Sequence, residues 1–199
     1  EVLKAGIRAR DLIRQILTFS RQAEIQRTPL EIVPLIKETV KFLKASLPAT
    51  IEIRQHLTAS HNLILADPTQ IHQVLMNLCT NATHAMPDGG RLVIRLSELD
   101  LDAQGVLAYK GLQPGHYLRL SISDSGRGIP PDIIDKIFDP FFTTKERGEG
   151  SGMGLAVVHG IVADMHGAIT VESEPGLGTT FHVLFPALEG VAGGCDGRL

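Results

Sequence analysis

Two cysteines in 199 residues, Cys79 and Cys195, exclude a disulfide scaffold, and they share no metal-ligand spacing. Such usage fits a reducing, cytosolic setting. No apolar run approaches the roughly 18–20 residues of a membrane span, and no signal peptide is visible. Positive charge is not in excess. Lys and Arg number 19 against 22 Asp and Glu, for a net charge of -3, which argues against a dedicated nucleic-acid binder. There is no internal repeat and no low-complexity segment. No Gly-Lys-Ser/Thr occurs, which excludes a P-loop. The surplus is glycine, 20 residues or about 10% against a usual share of roughly 7%. Ten of the twenty lie between Gly126 and Gly178. The hydrophobic share of 43% suffices for one core.

The chain divides into 1–26, a lone amphipathic helix; 27–188, one α+β domain; and 189–199, a glycine-rich tail. It begins at Glu1 inside a helical pattern and reads as a piece of a longer protein ending in linker. Apolar periodicity predicts helices from Thr28-Pro29 to Ser46, from the Asp67-Pro68 cap to Met86, and from Met153 to His166. Alternation and flanking turns predict strands at 51–57, 63–66, 91–98, 116–123, 168–173 and 178–185. Residues 125–151 read as loop with one short helix near 132–136. Strands and helices are segregated, and the closing strands share a short turn. The expected fold is therefore a two-layer α/β sandwich, a mixed and largely antiparallel sheet with helices on one face.

Four stretches carry candidate chemistry. Asn77, Asn81 and His84 stack on one face of the third helix, beside the core stripe of Ile71, Val74, Leu75 and Leu78. Asparagine favours caps over helix interiors. This face is either solvated or supplies oxygen ligands to Mg²⁺. Asp124-Ser125-Gly126-Arg127-Gly128-Ile129-Pro130 follows a strand. It is either an ordinary turn or a place where a planar ligand lies on bare backbone while the carboxylate accepts from an exocyclic amine. Gly148-Glu149-Gly150-Ser151-Gly152-Met153-Gly154-Leu155 enters a helix, so its N–H groups can meet phosphate oxygens. A loop precedes it, unlike a dinucleotide fingerprint. Between these lies Ile137-Phe138-Asp139-Pro140-Phe141-Phe142-Thr143-Thr144-Lys145, with three of the seven phenylalanines in five residues. It is either a satellite core or a hinged lid whose aromatics dock it while Lys145 reaches phosphates.

Order and spacing narrow these alternatives. Asn-x-x-x-Asn-Ala, Asp-x-Gly-x-Gly, Phe-x-Pro-Phe, Gly-x-Gly-x-Gly-Leu and Gly-x-Gly-Thr-x-Phe, in that sequence over about 30–187, resemble the catalytic ATP-binding domain of sensor histidine kinases, within the GHKL ATPases. Residues 1–26 resemble the second helix of that family's dimerisation and phosphotransfer hairpin, ending Leu17 to Arg21. The resemblance implies ATP and Mg²⁺ as cofactors, with Asn81 on the metal and Asn77 positioning the phosphates. It implies that Asp124 accepts from the adenine amino group, that Gly126 and Gly128 give the base room, and that Ile129 and Leu155 wall its pocket. Gly152 and Gly154 then offer backbone to the phosphates, with Lys145 and His84 as further phosphate contacts. Thr180 supports the adenine pocket, directly or through water.

The family phosphorylates a histidine followed by Glu or Asp. None of the eight here (His56, His61, His72, His84, His116, His159, His166, His182) is so followed. The acceptor is therefore expected upstream of this piece. The implied partners are a homodimer in the intact protein and a response-regulator receiver domain, with no nucleic acid and no membrane contact by this piece. The implied location is cytoplasmic, whether or not the intact protein is anchored. Two rivals are a degenerate nucleotide-binding or docking module and another GHKL ATPase. In the latter, a water-activating Glu usually stands where Asn77 does, and an amide cannot act as a base.

Overall fold

The computed structural model describes residues 26–109, 111–144 and 151–188. The expected helix over residues 1–26, the Gly148–Gly150 turn, Lys145 and the 189–199 tail lie outside the described residues or, for residue 26, outside any element.

The chain order is β1 (Thr28–Glu31), α1 (Ile32–Ser46), β2 (Ile51–Leu57), β3 (Leu63–Ala66), α2 (Pro68–Ala85), β4 (Gly90–Leu101), β5 (Gly115–Asp124), α3 (Gly154–Asp164), β6 (Ala168–Glu174) and β7 (Gly178–Pro186). Short 3-10 turns occupy Gly105–Ala108 and Ile134–Lys136. Five strands form one sheet in the order β2-β4-β5-β7-β6. Only β2 and β4 run parallel; the other pairs in this sheet are antiparallel. This is the expected mixed α+β sandwich.

One boundary differs. Thr28–Glu31 does not open a helix but pairs antiparallel with Leu63–Ala66, Thr28 opposite Ala66. Pro29 lacks an N–H and tolerates an outer strand. The helix begins only at Ile32, and no side chain of its own N-cap residue, Glu31, caps it. Asn62 serves instead. Its carbonyl accepts from Ile32 N–H at 3.0 Å, and its side-chain oxygen lies 3.5 Å from Val33 N. These partners are about 30 residues away, so local pattern could not reveal them.

Strand alternation decides which face is buried. Leu92, Ile94 and Leu96 of β4, Leu118, Leu120 and Ile122 of β5, and Phe181, Val183 and Phe185 of β7 point into one core. Ile71, Val74, Leu75 and Leu78 of α2 and Val158, Ile161 and Val162 of α3 cover them. The four α2 residues are at most 1% exposed. Asp67 accepts from Thr69 N–H at 2.7 Å and fixes the start of α2. The opposite sheet face is mostly polar, apart from Val93 and the patch where Val106, Tyr109 and Leu112 fold over Leu101, Tyr117 and Leu184.

Candidate functional site

The core sets α2 and α3 side by side above the C-terminal end of β5. Between them opens a cavity of about 650 Å³. Its lining joins stretches far apart in sequence: Asn77, Asn81 and His84 of α2, Asp124 at the end of β5, Gly128 and Ile129, then Gly152, Gly154 and Leu155.

Asn77 and Asn81 lie one turn apart and face the start of α3. The Asn77 amide donates to the Gly154 carbonyl at 3.3 Å. A Cβ built on Gly154 would lie 3.7 Å from Asn77 Oδ1 and 3.9 Å from Asn81 Nδ2. The N-cap residue of α3, Met153, provides no side-chain cap. The first N–H groups of α3 therefore present the positive end of the helix to the cavity.

Asp124 closes the other end. Its carboxylate accepts from Gly126 N–H at 2.9 Å and from the Thr179 N–H. Burial raises the carboxyl above the ordinary aspartate range, and these two N–H groups pull it back. The loop after Asp124 is tied at several points. Arg127 N–H donates to the Ala85 carbonyl at 3.0 Å, and Ile129 N–H donates to Ser173 Oγ at 2.8 Å. Gly128 takes φ +70°, and a Cβ there would sit 2.2 Å from the Glu174 carbonyl oxygen. Only glycine satisfies both demands.

Gly126 and Thr180 depart from expectation. Gly126 is buried outside the cavity lining, and a Cβ there would lie 2.5 Å from the Ala85 carbonyl oxygen. Its missing side chain gives room to the end of α2, not to a ligand. Thr180 points to the other sheet face, where its hydroxyl donates to Ser123 Oγ at 2.9 Å. Thr179 and Phe181 line the cavity instead. A one-residue register choice separates the two threonines, and both the Gly-x-Gly-Thr-x-Phe spacing and strand parity with the buried Phe181 single out Thr179.

The phenylalanine-rich segment divides its aromatics. Phe138 packs edge-on to Phe181 with ring centroids 6.4 Å apart, and Phe142 lines the cavity. Phe141 is 73% exposed at φ +67°. Gly152, at φ +66°, rests on the Phe141 backbone, where a Cβ would come within 2.4 Å. Among the described residues, no cluster of three His, Cys, Asp or Glu side chains could hold a metal. Any cation here would depend on amide oxygens and on the ligand itself.

Comparison with known proteins places the whole chain. Residues 66–189 match the family described as histidine kinase-, DNA gyrase B- and HSP90-like ATPases. The sensor kinase CckA of Brucella abortus (strain 2308) is 37% identical over 181 residues, which is 91% of this chain and 19% of that protein. The chain thus spans about a fifth of that relative's length. The crystal structure of full-length ShkA in complex with AMPPNP aligns with a TM-score of 0.71 at 28% identity, covering 92% of this chain and 36% of that one. The histidine kinase ThkA, solved in complex with the response regulator protein TrrA, aligns at 0.70 and 26% identity, covering 94% of this chain and 49% of that one.

Proposed function

The chain belongs to the family of histidine kinase-, DNA gyrase B- and HSP90-like ATPases, and within it we propose that this domain binds ATP with Mg²⁺ as the catalytic domain of a two-component sensor histidine kinase. The observation that carries the reading is the convergence of Asn77, Asn81, Asp124 and the start of α3 on one cavity. Asp124 meets the adenine amino group, and Ile129 and Leu155 enclose the base. The γ-phosphoryl group passes to a histidine that none of the eight here supplies in the family's His-acidic context.

Phosphoryl transfer needs positioning and charge neutralisation more than covalent help. The residues present suit both. Asn77 is anchored on the Gly154 carbonyl, which fixes its amide beside the α3 N-terminus. Asn81 offers a hard oxygen to a cation held mainly by phosphate oxygens, as Mg²⁺ prefers. Bound Mg²⁺ supplies neutralisation of the phosphate charge. The N–H groups of α3 hold the phosphate oxygens, assisted by His84 and Lys145. The segment around Phe138 to Phe142 acts as a lid over the phosphates.

The implied partners follow from the same reading. One is a second copy of the intact protein. The other is a response-regulator receiver, the class of protein with which ThkA was solved. No helix among the described residues is long and apolar enough to cross a membrane. Titration calorimetry with AMPPNP, with and without Mg²⁺, tests the reading. Asn81→Ala is expected to weaken binding about tenfold with Mg²⁺ and little without it. Equal loss in both conditions would remove Asn81 from the metal, and no wild-type binding would leave a docking module as the reading.

A further inference from the structure

Ser173 of β6 lines no part of the cavity, yet it controls how one wall of it is polarised. Its hydroxyl makes three contacts. It receives Ile129 N–H at 2.8 Å, donates to the Gly178 carbonyl at 3.1 Å, and lies 2.8 Å from Thr179 Oγ1. A serine hydroxyl has one proton and two lone pairs. Ile129 N–H can only donate, and the Gly178 carbonyl can only accept. Those two partners occupy the Ser173 proton and one lone pair. With the Ser173 proton on the Gly178 carbonyl, the remaining lone pair takes the Thr179 hydroxyl proton. Thr179 is 5% exposed and lines the cavity, so what its oxygen retains for a ligand is acceptor capacity alone. Asp124, whose carboxylate already receives the Thr179 N–H, is likewise an acceptor.

We propose that Ser173 is a positioning residue for base specificity: by consuming the Thr179 hydroxyl proton it makes the Asp124–Thr179 wall acceptor-only, which selects a purine carrying an exocyclic amino group. The inference deepens the nucleotide-binding reading and rests on it. Without Ser173, the Thr179 hydroxyl turns freely and can donate as well as accept. The wall then loses part of its preference for an amino group.

The probe pair is ATP and purine riboside 5′-triphosphate, which differ only in the 6-amino group. Both dissociation constants are measured calorimetrically with Mg²⁺. The wild-type protein is expected to prefer ATP. Ser173→Ala lowers that preference by roughly threefold to tenfold, the range of one hydrogen bond. Thr179→Val lowers it similarly, and Ser173→Ala adds nothing further in the Thr179→Val background. Thr179→Ser keeps the preference, and it keeps the test alive should Ser173→Ala fail to fold, since Thr179→Val and Thr179→Ser must then differ. A preference unchanged in Ser173→Ala overturns the inference. So does an equal loss of both affinities, because a purely structural role weakens both nucleotides alike. Failure of the wild-type protein to bind ATP overturns the nucleotide reading itself, and binding of both nucleotides without preference overturns this inference alone.

Discussion

Replacing Asp124 by asparagine separates binding from folding. The new side chain is isosteric and keeps one oxygen to accept an N–H. Its amide nitrogen must then face either the Thr179 N–H, the Gly126 N–H or the ligand. The carboxylate serves as acceptor for both backbone groups, with Gly126 N–H at 2.9 Å. A ligand amino group therefore meets a donor or a displaced loop. Losing one hydrogen bond to a charged acceptor costs about 1.5–3 kcal/mol, roughly ten- to a hundredfold in Kd. Folding moves the other way. Burial holds the carboxyl above its ordinary range, so its ionised form is disfavoured in the folded state. The folded protein binds this proton more tightly than the unfolded chain. The associated stability is therefore present at low pH and lost as pH rises through the raised value. The neutral amide of Asp124→Asn carries no such penalty, and at neutral pH the variant's unfolding free energy stays within about 1 kcal/mol of wild type. Nucleotide binding, which uses the ionised carboxylate, weakens as pH falls toward the raised range; in the variant that slope flattens. Calorimetry with AMPPNP and urea unfolding at two pH values measure both effects. Unchanged affinity, or a large loss of stability with binding intact, would refute the assignment.

Other perturbations test other parts of the molecule. Gly128→Ala places a Cβ at φ +70° and 2.2 Å from the Glu174 carbonyl oxygen; a loss of roughly 2–4 kcal/mol and a fall in Tm of about 5–15 °C are expected. Gly111→Ala is its control, since φ is +85° but nothing lies within 4 Å; only the backbone cost of about 1–2 kcal/mol remains, and equal effects of the two changes would contradict the packing argument. His182 is held below the ordinary histidine range chiefly by burial, with Arg119 lowering it further and Glu172 opposing. Its Nδ1 lies 2.8 Å from Ser121 Oγ. The unfolded chain takes this proton first, so stability falls as pH drops through the ordinary histidine range. Between about pH 7.5 and 5.5 the urea midpoint of His182→Gln should fall less than that of wild type, and identical slopes would show that His182 does not titrate in this window.

Some of the site was legible in sequence because sterics write themselves into composition. The glycine surplus between Gly126 and Gly178 is the clearest case. Gly128, Gly152 and Gly178 all take positive φ, and a Cβ on each would strike backbone at 2.2, 2.4 and 2.0 Å respectively. These residues let three chain segments approach around one cavity, and no other residue type could replace them locally. The α2 face was legible for a related reason. Helical period sets Asn77 and Asn81 on a face beside the Leu75 and Leu78 stripe, and burial of the leucines leaves the amides at the cavity edge. Strand β1 was illegible, because its partner Leu63–Ala66 is distant and Asn62 caps the next helix across that gap.

The misplaced threonine shows how geometry checks a motif. Thr179 and Thr180 are adjacent and chemically identical, but the Gly-x-Gly-Thr-x-Phe spacing sets its threonine at 179. The sheet gives the physical reason. Thr179 opposes Asp124 across β5–β7 and Ser173 across β6–β7. Its N–H thereby reaches the Asp124 carboxylate and its hydroxyl reaches Ser173. Thr180, one residue on, meets Ser123 on the other face. A shift of one residue exchanges every side chain between the faces, so the adenine-end chemistry depends on a register that is fixed elsewhere. That register is set by Phe181, Val183 and Phe185, whose burial in the core forces Thr179 to the cavity side. The specificity of the site is thus a consequence of core packing. Changing Val183 or Phe185 of β7 in a way that slips the strand would disrupt base recognition without altering any residue of the cavity wall.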